Sequence, residues 1–300
     1  MKRNSFFYFY LAAFVFIASI ALVILNSPVP QSQPSVRKPQ SKTFSPAPVF
    51  LGNAAFPVVS AQAVLAVDLN SGATLYEKDP DKELLPASTT KIITALVAMD
   101  YYYDDQILEV KGIKTEGQKM GLVEGEKIRV ADLLDGLLVY SANDAAEVLA
   151  ENYGYGREDF IAAMNRKAKE LYLDNSVFTN PTGLDTNGDE ITSTARDLIK
   201  VSETAMKNPE FAGIVGTKEI TVTSIDGKIS HKLANLNELL GKVPGVLGIK
   251  TGWTESAREN LVTYVERDGR KVILAVLGSQ DRFGETKELI DWIFANYYWL

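Results

Sequence analysis

The sequence predicts an α/β fold in which strands from both ends of the chain form one antiparallel sheet, with a helical lobe inserted between them. Strand patterns occupy residues 63–77 and return only after residue 218, whereas helical periodicity dominates the chain between them. In the later part, successive strand patterns are separated by short turns such as Asp268-Gly269, which is typical of antiparallel hairpins. Strands and helices that are segregated in this way indicate a sheet with helices packed against it.

The elements are predicted in chain order from these patterns. A first hairpin pairs Ala63–Leu69 with Ala73–Glu77. Five helices follow, the last with Thr192 or Ser193 as its N-cap, and they span Thr90–Tyr101, Val130–Val139, Asp144–Tyr153, Arg157–Leu171 and Thr192–Met206. Five strands and an amphipathic helix come next, at Glu219–Ser224, Lys228–Leu233, Val246–Thr251, Asn260–Glu266, Lys271–Gly278 and Glu285–Tyr298.

The N-terminal part of the chain predicts a membrane anchor and a spacer. Phe6–Leu25 is an apolar run of about 20 residues, long enough to cross a bilayer as a helix. Two positive charges precede it and the next is at Arg37, which favours a catalytic part outside the membrane. A cleaved signal peptide is the alternative, although its apolar core is usually only ~7–15 residues long. Residues 26–60, rich in Pro, Ser and Gln, predict a disordered spacer, and residues 61–300 the folded domain.

Composition excludes several kinds of site. The chain has no cysteine and a single histidine, His231, so a thiol protease and a zinc site built from several His or Cys ligands are excluded. His231 follows the turn Asp226-Gly227 and is expected to be a surface or edge-strand residue, because no G-x-S-x-G nucleophile turn accompanies it. The net charge of −7 argues against nucleic acid as a partner. The sequence also contains no phosphate-binding loop. Nucleophilic catalysis therefore needs a base other than histidine, and lysine is the candidate.

Three short motifs supply such chemistry: Ser88-Thr89-Thr90-Lys91, Ser141-Ala142-Asn143 and Lys250-Thr251-Gly252. If Ser88 begins a helix, Lys91 lies one turn later on the same face, so the hydroxyl and the amine can meet. The lysine must be neutral to act as a base, and burial beside a second cation such as Lys250 would lower its pKa. One motif alone is weak evidence, because Ser35-Val36-Arg37-Lys38 repeats the S-x-x-K spacing within the predicted spacer. The ordered set of three is specific.

From Gln62 to Trp299 the chain resembles serine-type D-Ala-D-Ala carboxypeptidases, a family of low-molecular-mass penicillin-binding proteins with a β-lactamase/transpeptidase-like fold. The resemblance implies removal of the terminal D-alanine from peptidoglycan stem pentapeptides through an acyl-enzyme, covalent inhibition by β-lactam antibiotics, and no need for a metal or organic cofactor. The segments that carry it are Leu85–Lys91, Ser141–Ala146, Asn180–Asp185, Gly248–Thr254 and Phe283–Lys287.

The resemblance also implies a role for each catalytic residue. Ser88 would attack the carbonyl between the two terminal D-alanines, and Lys91 would take its proton. Ser141 would relay a proton to the departing D-alanine. Asn143 would hold Ser141 in place and would also contact the substrate.

The resemblance assigns the substrate-binding residues to the third motif. Lys250 and Thr251 would bind the terminal carboxylate. Gly252 would let a ligand approach the strand backbone closely. The backbone N–H groups of Ser88 and Trp253 would form the oxyanion hole.

Three alternatives remain open from the sequence. A β-lactamase shares the acylation step but needs a glutamate for deacylation. The nearest match is Glu170, which the sequence predicts to be an exposed residue at the end of a charged helix. A D,D-endopeptidase acting on cross-links has the same motifs, and a penicillin-binding sensor would acylate and stop. Two positions depart from the family: Thr182, where histidine is frequent, and Arg258, where glycine is frequent. Neither is catalytic.

Overall fold

The computed structural model describes residues 45–52, 54–185 and 190–300. The predicted anchor, Phe6–Leu25, and most of the predicted spacer lie outside these segments. Within them, no helix combines the length and the apolar character needed to span a bilayer.

The described residues contain eleven strands and seven helices. The strands are β1 (Val49–Phe50), β2 (Ala63–Asp68), β3 (Thr74–Lys78), β4 (Ile107–Glu109), β5 (Lys127–Arg129), β6 (Glu219–Thr223), β7 (Ser230–Ala234), β8 (Val246–Thr254), β9 (Arg258–Arg267), β10 (Arg270–Ser279) and β11 (Tyr297–Tyr298). The helices are α1 (Lys91–Tyr101), α2 (Val130–Leu138), α3 (Asn143–Glu151), α4 (Arg157–Glu170), α5 (Ala195–Met206), α6 (Pro209–Val215) and α7 (Arg282–Asn296).

The central sheet has five antiparallel strands in the order β3-β2-β10-β9-β8. Strand β10, from the second half of the chain, pairs with β2 from the first half, so that Leu277 lies opposite Ala63 and Val272 opposite Asp68. Helices α1 to α6 all come between β3 and β8 in the chain. The predicted fold class, a sheet formed by both chain ends with an inserted helical lobe, is therefore confirmed.

Alternation along β10 explains how the sheet separates two apolar cores. Ile273, Ala275 and Leu277 face the core shared with the helical lobe. The intervening residues, Val272, Leu274 and Val276, face a second core on the other side of the sheet, which also contains Leu289, Ile290 and Ile293 of α7. Side chains on a strand point to opposite faces in turn, so a strand covered on both faces must be apolar throughout.

The folded domain begins before residue 61, so the predicted C-terminal boundary of the spacer is wrong. Strand β1 pairs with β11, with Val49 opposite Tyr298. The Trp292 indole Nε1 donates a hydrogen bond to the carbonyl of Ala55 at 2.8 Å, and the Phe56 ring lies 4.9 Å from the Trp292 ring. These contacts hold the segment that precedes β2 against α7. The prolines of this segment had led to the prediction of a disordered linker.

The predicted helix ends need small corrections. Thr194, rather than Thr192 or Ser193, caps α5, since its hydroxyl accepts a hydrogen bond from the Asp197 amide at 3.1 Å. Helix α7 ends at Asn296 because Tyr297 and Tyr298 leave the helix to pair with β1. Besides β1 and β11, three short elements, β4, β5 and α6, were not predicted, because segments of three to seven residues carry too little periodicity.

His231 is buried, which corrects the expectation of a surface histidine. It lies on β7, which among the described residues pairs only with β6, so the edge-strand part of the expectation is confirmed. Its side chain is 5% exposed, with Nε2 at 2.8 Å from the Glu126 carboxylate and Nδ1 at 3.0 Å from the Met120 carbonyl. His231 is therefore a structural residue that ties β7 to the loop before β5.

Candidate active site

Ser88 lies in a single 3₁₀ turn, Ala87–Thr90, that leads directly into α1. The residue before it, Ala87, has a φ of +48°, a backbone conformation that costs a non-glycine residue free energy. Gly183 packs against this turn so closely that a β-carbon at Gly183 would lie 1.9 Å from the Ala87 carbonyl oxygen. The nucleophile is thus held in a turn whose conformation is imposed by the neighbouring loop.

Lys91 faces Ser88 from the first position of α1. Its Nζ donates hydrogen bonds to the Ser88 hydroxyl at 2.9 Å and to the Thr182 carbonyl at 2.7 Å. The side chain is fully buried, and this burial lowers its pKa to about 7, against the opposite effect of the Glu147 and Asp144 carboxylates. A lysine with this pKa is substantially neutral near pH 7 and is able to accept the serine proton.

A second buried lysine, Lys250, lies on β8. It is 2% exposed, and its Nζ donates a hydrogen bond to the Thr251 carbonyl at 3.0 Å. Burial lowers its pKa, and so does repulsion by Lys91 and by Arg282. Since the repulsion between the two ammonium groups is mutual, protonation of either one disfavours protonation of the other.

Gly252 brings β8 against the serine turn. A β-carbon at Gly252 would lie 3.0 Å from the Pro86 carbonyl and 3.2 Å from the amide nitrogens of Ser88 and Thr89. A side chain there would push the strand away from the nucleophile. The next residue, Trp253, is 61% exposed and lies at the edge of the site.

The S-x-N motif precedes and begins α3. Ser141 is buried and has a φ of +61°, so it too occupies a strained backbone conformation. The Asn143 amide nitrogen donates to the Gln118 carbonyl, and its side-chain Nδ2 to the Glu116 carbonyl, each at 2.7 Å. Its Oδ1 is buried and has no hydrogen-bond partner among the described residues.

The loop Asn180-Pro181-Thr182-Gly183 has a structural role that the sequence did not reveal. The Asn180 Oδ1 accepts hydrogen bonds from the Thr182 amide, the Thr182 hydroxyl and the Gly183 amide at 2.7–3.1 Å. Asn180 Nδ2 also donates to the Leu184 carbonyl at 2.8 Å. This closed turn aims the Thr182 carbonyl at Lys91. An Asn-Pro pair followed by glycine is a turn signal, but its long-range target is invisible in the sequence.

Arg282, at the start of α7, is a third cation at the site. Its Nη1 donates to the Gly252 carbonyl at 3.1 Å, whereas its buried Nε has no partner among the described residues. Burial lowers its pKa. No sequence signal distinguished this arginine from an ordinary one in the first turn of a helix.

Glu170 lies away from the nucleophile. It is exposed at the end of α4 and pairs with Lys167 at 2.8 Å. Lys167 in turn contacts Asp100 at 2.7 Å, in the last turn of α1. Asp100 is nine residues beyond Lys91, or about 14 Å along the helix axis. This position rules out Glu170 as a deacylating base.

Comparison with known proteins agrees with the geometry. The family model of D-alanyl-D-alanine carboxypeptidases matches residues 52–281. The chain belongs to this family. The enzyme class and function predicted from the sequence, a serine-type D-Ala-D-Ala carboxypeptidase, are thereby confirmed.

Individual relatives cover most of the chain. A D-alanyl-D-alanine carboxypeptidase of Mycobacterium tuberculosis, DacB2, is 35% identical over 81% of this chain and 86% of its own length. A D-alanyl-D-alanine endopeptidase of Pseudomonas aeruginosa is 31% identical over 78% of this chain and 77% of its own length. The crystal structure of the Streptomyces K15 DD-transpeptidase superposes with a TM-score of 0.76 at 32% identity, covering 81% of this chain and all of that one.

Proposed function

We propose that the protein removes the terminal D-alanine from peptidoglycan stem peptides ending in D-Ala-D-Ala, through an acyl-enzyme on Ser88. The observation that carries the proposal is the fully buried Lys91, whose Nζ lies 2.9 Å from the Ser88 hydroxyl and whose pKa is lowered to about 7. A base of this strength beside a serine is what nucleophilic catalysis at neutral pH requires.

Acylation begins when the Ser88 hydroxyl attacks the carbonyl carbon of the penultimate D-alanine and Lys91 accepts its proton. Ser141, held by Asn143, relays this proton from Lys91 to the nitrogen of the departing D-alanine, the C–N bond breaks, and Lys91 is neutral again. A water molecule then attacks the ester carbonyl carbon and gives its proton to Lys91. As the ester bond to Ser88 breaks, Lys91 returns this proton to the Ser88 oxygen. The cycle releases D-alanine and the shortened peptide, and it needs no metal or organic cofactor.

The terminal carboxylate of the substrate binds on the side of the site formed by β8. Lys250 and Thr251 bind the terminal carboxylate, and Arg282 adds a second cation beside Lys250, held by the hydrogen bond from its Nη1 to the Gly252 carbonyl. Gly252 keeps this strand close to the nucleophile. The backbone N–H groups of Ser88 and Trp253 face the carbonyl oxygen and stabilise its negative charge in the transition state.

Two carboxylates influence the pKa of Lys91, and both are engaged elsewhere. Glu147 accepts from Arg157 Nε at 2.8 Å. Asp144 accepts from the backbone amides of Met120, Gly121 and Leu122 at 2.8–3.0 Å. Neither is free to activate a deacylating water. A penicillin ester on Ser88 is therefore expected to persist, as in an enzyme that β-lactams inhibit and not in a β-lactamase.

The proposal includes a location. The apolar run Phe6–Leu25 anchors the chain as a single membrane-spanning helix, and the following spacer holds the catalytic domain on the extracytoplasmic side, near the cell wall. Family membership fits a substrate that is found there.

The test uses the full chain in detergent, with fluorescent penicillin and with a pentapeptide ending in D-Ala-D-Ala. A stable label and release of D-alanine are expected, and Ser88→Ala should lose both. Ser35→Ala, in the other S-x-x-K sequence, is the matched control and should keep both. Absence of any label would refute the assignment.

Each remaining outcome identifies a competing function. Rapid release of hydrolysed penicillin would indicate a β-lactamase. A label without peptide cleavage would indicate a sensor. Cleavage of cross-linked peptide dimers but not of the pentapeptide would indicate an endopeptidase, the activity named for the Pseudomonas relative.

A further inference from the structure

His231 is the one histidine of the chain, and the catalytic steps do not use it. Its buried ring lies between two oxygen atoms, with Nδ1 at 3.0 Å from the Met120 carbonyl and Nε2 at 2.8 Å from the Glu126 carboxylate. The Glu126 side chain is fully buried as well. Because desolvation offsets much of the attraction within a buried ion pair, we expect its main effect to be on the conformation of the segments that it joins.

Both ring nitrogens of His231 act as donors. A backbone carbonyl has no proton to give, so Nδ1 carries the proton of the contact with Met120. The Glu126 Oε2 already accepts a hydrogen bond from the Val123 amide at 3.1 Å. A carboxylate is a weaker base than an imidazole, so the proton of the 2.8 Å contact belongs to Nε2. His231 is therefore an imidazolium paired with an ionised Glu126.

Segment 116–126, which ends at Glu126, also holds Asn143 of the second motif. The Glu116 carbonyl accepts a hydrogen bond from Asn143 Nδ2 at 2.7 Å. The Gln118 carbonyl accepts one from the Asn143 amide, also at 2.7 Å. The position of Asn143 therefore depends on the backbone conformation of this segment.

Met120 connects the ion pair to these contacts. Its carbonyl lies against His231, and its amide donates to Asp144, the residue after Asn143, at 3.0 Å. Loss of the Glu126 contact would free the histidine ring and, with it, the Met120 carbonyl. The change would then reach the backbone that holds Asn143.

We propose that His231 and Glu126 are positioning residues for Asn143. Their ion pair keeps segment 116–126 in the conformation in which its carbonyls hold Asn143, and it thereby keeps Ser141 in place for proton transfer. This inference rests on the proposed function, which assigns the proton relay to Ser141 and the support of Ser141 to Asn143.

Glu126→Gln keeps the geometry of the pair and removes its charge. The glutamine oxygen can accept from the Val123 amide, and the glutamine NH₂ group can donate to His231 Nε2, which then acts as an acceptor. His231 keeps the proton on Nδ1 for Met120. The contact thus survives in this variant, whereas Glu126→Ala removes it.

The test measures the rate constant for penicillin acylation of the full chain in detergent near pH 7. Glu126→Ala should lower the rate constant about tenfold, as expected when a catalytic group is misplaced. Glu126→Gln should restore it to within about twofold of the unaltered protein, because both hydrogen bonds are retained. Glu124→Ala is the matched control, since this exposed carboxylate of the same loop accepts from the Gly112 amide instead, and its rate constant should not change.

A double-mutant cycle distinguishes positioning from a general loss of stability. If Glu126 acts through Asn143, adding Glu126→Ala to an Asn143→Ala protein should lower the rate constant by less than about twofold. An equal loss with and without the Asn143 side chain would mean that Glu126 supports the fold as a whole, and this would overturn the proposal.

The single histidine also allows a direct spectroscopic measurement. In protein labelled with ¹⁵N-histidine, the long-range ¹H–¹⁵N NMR spectrum reports His231 alone. Signals typical of an imidazolium are expected for the unaltered protein near pH 7, and signals of the neutral tautomer with its proton on Nδ1 for Glu126→Gln. A neutral ring in the unaltered protein would contradict the ion pair.

Failure of this proposal can be distinguished from failure of the proposed function. If penicillin acylates Ser88 in the unaltered protein and Glu126→Ala is acylated equally fast, only the positioning role fails. The same conclusion follows if Glu126→Gln is as slow as Glu126→Ala. If the unaltered protein is not acylated at all, the proposed function fails as well.

Discussion

The buried Lys91 predicts the pH dependence of acylation. The perturbation is a change of pH between about 5 and 9, applied to the full chain before penicillin is added. Because burial lowers the pKa of Lys91 to about 7, the base is mostly protonated at pH 5 and mostly neutral at pH 9. The acylation rate should rise about tenfold per pH unit below the midpoint and level off above it.

The magnitude follows from the shift. Lys91 moves from its ordinary pKa of 10.5 to about 7. At pH 7 about half of the molecules then carry a neutral amine, compared with about one in 3,000 for a freely solvated lysine. The fold therefore increases the population of the active base by about three orders of magnitude. It does so at a cost in stability of about 4 kcal/mol at pH 7.

The assay is stopped-flow acylation by a fluorescent penicillin, with the second-order rate constant fitted across the pH range. Glu147→Gln supplies the structural test, because this carboxylate raises the pKa of Lys91 and its removal should move the midpoint to lower pH. Glu151→Gln is the matched control: Glu151 lies one turn later on α3, is exposed, and is not one of the two carboxylates, Glu147 and Asp144, that raise the pKa of Lys91. Its midpoint should equal that of the unaltered protein.

Two results would show that Lys91 is not a buried base controlled by Glu147. A midpoint near pH 10 would mean that the lysine is not desolvated before penicillin binds. A midpoint that moves equally for Glu147→Gln and Glu151→Gln would mean that net charge, and not the local carboxylate, controls the amine.

Three further predictions concern stability and are checked by thermal and urea unfolding. Gly183→Ala should lower the free energy of unfolding by about 3 kcal/mol and slow acylation, because its β-carbon would lie 1.9 Å from the Ala87 carbonyl oxygen. The control Gly213→Ala lies on a helix with open space around it and should raise the free energy of unfolding by up to about 1 kcal/mol. Lys91→Met should abolish acylation but raise the free energy of unfolding below pH 10, because the folded amine binds protons more weakly than the unfolded one. Phe56→Ser should cost about 1 kcal/mol through its lost aromatic contacts, and Val58→Ser, 95% exposed, should cost nothing measurable.

The sheet and the helical lobe were predictable because their signals are local. The apolar run of β10 and the spacing of apolar residues every three to four positions in the long helices can each be recognised within a single segment of the sequence. The pairing of β1 with β11 was not predictable, because two-residue strands carry no pattern and the surrounding prolines indicate an unfolded chain. Contacts with residues more than 200 positions later, such as the packing of Phe56 on Trp292 and the pairing of Val49 with Tyr298, make this segment part of the domain.

The candidate site, like the fold, could be predicted only where its residues form a local sequence pattern. The three motifs predicted which residues carry chemistry, since each motif is contiguous. Asn180 and Arg282 were missed, because their importance comes from the partners they meet: Asn180 orients the Thr182 carbonyl toward Lys91, and Arg282 donates to Gly252. Such roles depend on contacts across the chain and leave no periodic or spacing signal.

The charge state of the site is a property of the fold and not of the motifs. The spacing alone does not set a charge state, because Ser35 and Lys38 repeat the same pair of residue types. At Ser88 and Lys91 the fold adds the apolar residues of α1 and the Asn180–Gly183 loop. Burial makes Lys91 a base, and Lys250 then adds a second cation whose protonation opposes that of the first. The same desolvation reduces stability at neutral pH. A sequence that gained stability by replacing Lys91 with an apolar residue would lose the base, so this instability is inseparable from the chemistry.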